Sequence, residues 1–172
     1  RAGAEIDRVD RADRMAACCD STRSMGHRKG ARVRSAIIAR GMEIVVPDEF
    51  KYLYVTNAER PVVKIPAEVL RQQAKPVSKV GKRVERLIDD MTRIMRKSNG
   101  VGLAAPQVGV LERVIVVAPQ GTRPTALINP VVVHAEGEQI GQEGCLSIPG
   151  LYGDVKRAEF VRIEAFDRKG RP

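Results

Sequence analysis

Two short segments of the sequence carry side chains whose types and spacing could perform chemistry. The segment GVGLAAPQ, residues 100–107, ends on Gln107, and the segment EGCLS, residues 143–147, is centred on Cys145. A primary amide can donate a hydrogen bond to a developing oxyanion, and a thiolate can act as a nucleophile or as a metal ligand. Either role for Cys145 requires partner residues, and a small buried thiol without reactivity is the alternative.

The candidate partners of Cys145 are few, because the sequence contains two histidines. His27 lies in the N-terminal region, and His134 lies in a predicted strand, where we expect a solvent-facing ring. A nucleophilic pair of Cys145 with His134 stays open, although the spacing does not favour it. The other cysteines, Cys18 and Cys19, are adjacent. They form no disulfide framework, so the sequence indicates a reducing cytoplasm.

Composition limits the class of protein. The chain has 172 residues with 43% hydrophobic and 3% aromatic content and no tryptophan, which predicts a core of aliphatic side chains. No apolar run approaches the length of about 18 residues needed to cross a membrane. The net charge of +9 could favour a polyanion such as ribosomal RNA, and a solvated basic surface is the alternative.

The most regular periodicity predicts an amphipathic helix over residues 78–100. We expect Ser78 to cap its start and Asn99 with Gly100 to end it. Apolar residues recur every three or four positions and should face the core, the methionines as packing residues; they are Val80, Val84, Leu87, Ile88, Met91, Ile94 and Met95.

Shorter patterns surround this helix. Strands are predicted at KYLYV (51–55), at 113–118, at 125–137 with an interruption at Pro130, and at 160–166 before a turn at DRKG. An extended piece over 62–65 and a short helix at AEVLRQQA (67–74) precede the long helix. Residues 100–110 are interpreted as a glycine-rich connector. They are no dinucleotide fingerprint, because that motif follows a strand and precedes a helix.

The chain is expected to contain one domain with an appendage. Residues 1–41 are predicted to be a basic, flexible or spurious extension, although RSAIIARGMEIVV (34–46) could be locally ordered. Met42 is a plausible start of the authentic protein. Residues 42–172 are predicted to form the domain itself.

Taken together, the two segments resemble the first two signature motifs of peptide deformylase. The order agrees as well, since the INP string (128–130) lies between them, and the resemblance runs over residues 62–172. It implies an α+β fold of antiparallel sheets packed around helices. It also implies a hydrolase that removes the N-formyl group from the initiator methionine of nascent proteins in a bacterial-type cytoplasm, possible proximity to the ribosome, and no membrane.

The resemblance implies roles for the residues that match. Cys145 would bind the catalytic divalent metal, which is typically Fe(II) and replaceable by Ni, Co or Zn. The Gln107 side chain and the Leu146 backbone N–H would donate to the oxyanion on the formyl carbonyl. The expected substrate contacts lie in the two motifs and are Gly100, Val101, Gly102, Glu143 and Gly144.

One departure from the family pattern is large. The third family motif, H-E-x-x-H, supplies two histidine ligands and the acid–base glutamate, and the sequence contains no such string. We therefore expect a truncated chain whose motif-bearing central helix is missing, with exposed apolar strand faces and no activity of its own. A non-catalytic binder of nascent N-terminal peptides and a basic ribosome- or RNA-associated protein are the alternatives.

Overall fold

The computed structural model describes residues 36–39, 42–46 and 48–172. Strands β1 (Ala36–Ala39) and β2 (Met42–Val45) lie in the segment RSAIIARGMEIVV and pair antiparallel with each other. The other residues of the predicted 1–41 extension lie outside the described residues, together with Cys18, Cys19 and His27.

Helix α1 (Lys82–Lys97) confirms the predicted amphipathic helix and buries one face. Met91 and Met95 are fully buried, as expected for packing residues. The predicted cap at Ser78 is wrong, because Gly81 occupies the N-cap position with an extended backbone. Asn129 holds the chain just before α1, because its side chain makes hydrogen bonds with the backbone N–H and C=O of Val77.

A four-stranded antiparallel sheet packs against α1. Its strands are β3 (Gly102–Ala104), β4 (Val114–Val117), β5 (Thr125–Glu136) and β8 (Phe160–Phe166), in the order β3-β4-β5-β8. Strands β4, β5 and β8 confirm predicted strands, whereas β3 lies in the predicted connector. The face toward α1 carries the buried core of the sheet, namely Leu103, Val114, Val116 and Ile128.

The predicted interruption of β5 at Pro130 is a change of register. Asn129 has a φ of 52°, and the pairing with β8 shifts between Ile128 and Val131. The Asn129 N–H donates to the Arg113 carbonyl at 2.8 Å, and the Arg113 guanidinium donates to the Pro130 carbonyl at 2.7 Å. The INP string therefore forms an irregularity that its neighbours stabilise.

Strands β6 (Gln139–Cys145) and β7 (Ile148–Arg157) form an antiparallel hairpin that the sequence did not predict. Glycines at 141, 144, 150 and 153 weaken the strand signal there. The hairpin matters for the site, because the EGCLS segment forms the end of β6 and the turn into β7.

Two short predictions are wrong. The KYLYV segment belongs mostly to a 3-10 helix over Asp48–Tyr54, and of AEVLRQQA only Glu68–Leu70 is a 3-10 turn. The Tyr54 hydroxyl donates to the Pro149 carbonyl at 3.2 Å in β7. A tertiary contact therefore overrides the weak local preference of this segment for a strand.

The strands also expose apolar side chains. The exposed side chains on β5 to β8 are Val133, Ile140, Leu151, Tyr152, Phe160, Val161 and Phe166. Across the part of the chain that the structure covers, no helix combines the length and the apolar content that crossing a membrane requires.

Candidate functional site

The two motif segments meet a third segment, the extended piece at residues 62–65. The Val63 N–H donates to the Gln107 carbonyl at 2.8 Å, and the Ile65 N–H donates to the Ser147 carbonyl at 3.1 Å. Val62 is buried in the same core as α1. The predicted extended piece therefore joins the two motifs, a role that the sequence did not reveal.

The Gln107 carboxamide is held at both ends. Its Oε1 accepts a hydrogen bond from the Ala104 N–H at 3.0 Å, and its Nε2 donates to Ser147 Oγ at 3.1 Å. Gln107 lies in a 3-10 helix (Ala105–Val108) with Pro106 near its start, directly after β3. Ser147 is 3% exposed. The amide is thus fixed between the two motifs.

Gly100 makes room for Leu146. A Cβ added to Gly100 would lie 2.7 Å from Leu146 Cδ1 and 3.5 Å from the Met95 carbonyl oxygen. Leu146 is half-buried and packs against the core, so a side chain at Gly100 would force the end of the leucine side chain to shift. The missing side chain of Gly100 leaves room for this packing.

Val101 and Gly102 lie on an open edge of the sheet. Strand β3 ends the strand order, so its outer edge carries no further strand among the residues that are described. The Ala118 N–H donates to the Val101 carbonyl at 2.8 Å, so the antiparallel ladder directs the N–H and C=O of Gly102 outward. An added Cβ on Gly102 meets nothing closer than the Val116 oxygen at 3.8 Å.

Glu143 and Gly144 make cross-strand contacts in the β6–β7 hairpin. The Glu143 carboxylate accepts two hydrogen bonds from Arg157, from Nε at 2.9 Å and from Nη2 at 2.8 Å. A Cβ on Gly144 would lie 2.8 Å from the Tyr152 ring. Cys145 follows at the end of β6 and is half-buried. The hairpin therefore fixes the backbone that presents Cys145.

Two ionisable side chains lie within the electrostatic reach of Cys145. Burial raises the pKa of Tyr54 above its ordinary value, and the negative charge of Cys145 raises it further. Burial also lowers the pKa of Lys64, as does the nearby charge of Arg60, while Cys145 acts in the opposite direction. Tyr54 and Lys64 are therefore close enough to Cys145 for a charge on its sulfur to raise the pKa of both groups.

The residues that are described do not complete a metal site. They contain no group of three or more His, Cys, Asp or Glu side chains that could hold an ion. The predicted solvent-facing ring of His134 is confirmed, since the side chain is 43% exposed and its Nε2 lies 3.1 Å from Glu136. A catalytic metal usually has three protein ligands and an open position. Cys145 is a side chain of a ligand type, and the described residues do not surround it with two more.

Comparison with known proteins identifies the family of this chain. The sequence model described as Polypeptide deformylase matches residues 59–172, which is more than half of the chain. The chain belongs to the peptide deformylase family. This confirms the resemblance, and the α+β architecture with antiparallel sheets agrees with that of the solved relatives described below.

Curated relatives carry the same family name. The peptide deformylase of Symbiobacterium thermophilum is 56% identical over 112 residues, covering 64% of this chain and 52% of the relative. Peptide deformylase 1 of Bacillus subtilis is 47% identical over 116 residues, covering 67% of this chain and 72% of the relative. The chain therefore spans about half the length of the first relative and more of the second.

Solved structures support the fold. A crystal structure of a peptide deformylase from Legionella pneumophila has a TM-score of 0.62 and 42% identity, covering 64% of this chain and 67% of that one. The peptide deformylase from Synechococcus elongatus in complex with actinonin also has a TM-score of 0.62, with 40% identity, and the match covers 67% of each chain.

The structure thus brings part of the predicted site into direct contact. Gly100 lies against Leu146, and Gln107 binds Ser147, so the first and second motifs touch. Ser147 was not predicted as a functional residue, although it stands in the EGCLS string. Its burial depends on the tertiary packing and could not be read from one sequence.

Proposed function

We propose that this chain forms the peptide-binding and formyl-binding part of a peptide deformylase. Such an enzyme is a metal-dependent hydrolase that removes the N-formyl group from the N-terminal methionine of newly made proteins. One observation supports this most directly. The Gln107 amide is held by Ala104 and Ser147 next to the open edge of β3, so a hydrogen-bond donor lies beside a place where a peptide can pair.

In this proposal, backbone groups hold the nascent peptide. The outward N–H and C=O of Gly102 pair with the peptide as with an added strand, and Val101 and Gly144 flank it. Gly102 lacks a side chain although the fold has space for one, since a Cβ there would make ordinary contacts. The small size of Gly102 therefore serves the bound peptide rather than the packing of the chain.

Two donors are proposed to bind the formyl oxygen, namely the Gln107 side-chain N–H and the Leu146 backbone N–H. Donors placed at a developing oxyanion contribute about 3 to 4 kcal/mol each in other hydrolases. Leu146 is fixed against Gly100, and Gln107 is fixed by Ser147. These contacts support the proposal, because donors that are ordered in advance avoid the cost of ordering during the reaction.

Cys145 is proposed to be a metal ligand of the family's divalent ion, with Fe(II) expected and Zn, Ni or Co as alternatives. The described residues contain no group of three or more side chains that could hold an ion, and the sequence contains no H-E-x-x-H string. No hydrolytic step is therefore assigned to this chain alone. We expect the purified chain to release no formate from formyl-Met peptides, with or without added Fe(II), Ni(II) or Zn(II).

Peptide binding tests the proposal. The probe is a fluorescein-labelled formyl-Met-Ala-Ser peptide, followed by anisotropy, with the same peptide carrying a free amino terminus for comparison. We expect the formyl peptide to bind more tightly. Gly102→Val should weaken binding by roughly tenfold, the equivalent of losing about one backbone hydrogen bond and its contact.

The matched control is Gly81→Val, at the opposite end of α1 from Gly100. Gly81 has an extended backbone, and a Cβ there meets nothing within 4 Å. This variant should bind the peptide as the unsubstituted chain does. Equal binding by Gly102→Val and Gly81→Val would contradict the proposed role of the β3 edge.

A binder of nascent peptides without turnover is a second candidate. It is favoured by one observation: the residues that the structure covers contain no group of three or more side chains that could hold a metal ion. A loss of affinity for the formyl peptide on addition of a chelator would contradict this candidate, because a binder without turnover needs no metal. For ribosomal RNA the structure offers less support, because some arginines are paired, as Arg83 is with Glu112.

A further inference from the structure

Ser147 stands out among the described residues because it is the buried polar side chain of the core. It is 3% exposed, its hydroxyl oxygen accepts a hydrogen bond from Gln107 Nε2 at 3.1 Å, and its carbonyl accepts one from the Ile65 N–H. A buried hydroxyl is costly unless it is hydrogen-bonded. The contact with Gln107 therefore satisfies Ser147 and at the same time restrains Gln107.

The orientation of the Gln107 amide follows from its two partners. Because Oε1 accepts from the Ala104 N–H, the nitrogen end must face Ser147, where it donates. A primary amide nitrogen has two N–H bonds. Ser147 engages one of them, so the second is available to another acceptor in a fixed direction.

We propose that Ser147 is a positioning residue that orients the Gln107 carboxamide so that its second N–H bond meets the formyl oxygen. The inference rests on the proposed function of Gln107. Without the Ser147 hydroxyl, the amide keeps its contact with Ala104 but loses the restraint at its nitrogen. Binding of the formyl group should then weaken while binding of the peptide backbone on β3 does not.

The test compares affinities for two peptides. Formyl-Met-Ala-Ser and the same peptide with a free amino terminus are titrated against the unsubstituted chain and against Ser147→Ala. The preference for the formyl peptide should fall by roughly five- to tenfold in Ser147→Ala, the range expected for losing one oriented hydrogen bond. The affinity for the free-amine peptide should stay within about twofold.

Ile88→Val is the matched control, because it tests whether a loss of stability alone lowers the formyl preference. Ile88 is buried on α1, outside the two motif segments of the sequence, and this change removes one methylene group from the core. The variant should keep the full formyl preference. A loss of preference in both variants would show a general structural effect and would overturn the positioning role.

A second measurement uses the unsubstituted chain and does not depend on whether Ser147→Ala folds. In the 15N-labelled chain, the Gln107 side-chain amide is assigned from the signal that disappears in Gln107→Met. One of its two protons should exchange more slowly than those of an exposed glutamine, because it is bound to Ser147. Two protons exchanging at the unprotected rate would overturn the proposal.

The remaining outcomes separate the two proposals. Equal affinity of the unsubstituted chain for the two peptides would overturn the proposed function, and this inference with it. A clear formyl preference that Ser147→Ala retains in full would overturn the positioning role alone and leave the proposed function intact.

Discussion

Replacing Gly100 with alanine is expected to destabilise the chain more than the same substitution at Gly102 or Gly144. The three glycines belong to the two motifs, yet the structure gives them different reasons for lacking a side chain. A new Cβ at Gly100 meets Leu146 Cδ1 at 2.7 Å, and one at Gly144 meets the Tyr152 ring at 2.8 Å. At Gly102 the nearest atom is 3.8 Å away.

The magnitudes follow from what each neighbour can do. Leu146 is half-buried against the core, so Gly100→Ala should cost the free energy of overpacking, about 1 to 3 kcal/mol. Tyr152 is 71% exposed and can turn into solvent, so Gly144→Ala should cost no more than about 0.5 kcal/mol. Gly102→Ala should stabilise the chain by about 0.4 to 1 kcal/mol, because the unfolded chain loses conformational freedom.

Urea unfolding followed by circular dichroism measures these differences, because the chain has no tryptophan to report by fluorescence. The slope of the free energy against urea should be the same for all variants, so that the midpoints reflect stability. Gly100→Ala should also reduce the formyl preference, since Leu146 carries one of the proposed donors. If Gly100→Ala is as stable as Gly102→Ala, the packing argument is refuted.

Three further predictions follow from individual contacts. Asn129→Ala should lower the free energy of unfolding by about 2 to 4 kcal/mol, because it removes two hydrogen bonds to Val77 and puts alanine at a φ of 52°. Urea unfolding measures this difference. A change below about 0.5 kcal/mol would contradict the prediction. Hydrogen bonds from Arg171 lower the pKa of Asp167 from 3.8 to about 2, so the turn is fully stabilised above pH 3.8 and loses this contribution as the pH falls through about 2. An NMR titration of the Asp167 carboxyl should show this value, with a higher one in Arg171→Ala, and titration near 3.8 in the unsubstituted chain would be inconsistent with the turn. After loading with Fe(II) or Zn(II) and desalting, each chain should hold well below one metal ion by elemental analysis, because the described residues lack a group of three ligand side chains. Cys145→Ser should hold still less metal. One bound ion per chain would contradict this prediction.

Much of the fold could be predicted from the sequence where the periodicity is long and strong. Helix α1 has six apolar positions at helical spacing before a left-handed stop at Asn99, and β4 is a continuous apolar run, so both were predicted with small errors at the ends. The start of α1 was misplaced because the choice between Ser78 and Gly81 depends on Asn129, which lies far away in the chain and binds Val77.

Short or glycine-rich elements could not be predicted in this way. Strand β3 has three residues, and β6 and β7 contain glycines that local propensity assigns to turns. Each is a strand because a partner pairs with it. The predicted strand at KYLYV failed for the same reason, since Tyr54 contacts β7 instead of a neighbouring strand.

The sequence by itself determined the family and the residues that are proposed for the site. The order and content of GVGLAAPQ and EGCLS identified the family and named Gln107, Cys145 and Leu146, because motif residues stand in fixed positions along a chain. Only the tertiary structure decided how they are held. Gln107 and Ser147 are 40 residues apart and touch through their side chains, and Gly100 meets Leu146 in the same way. Such contacts depend on how the helix, the sheet and the hairpin pack together, and a linear sequence does not display distances.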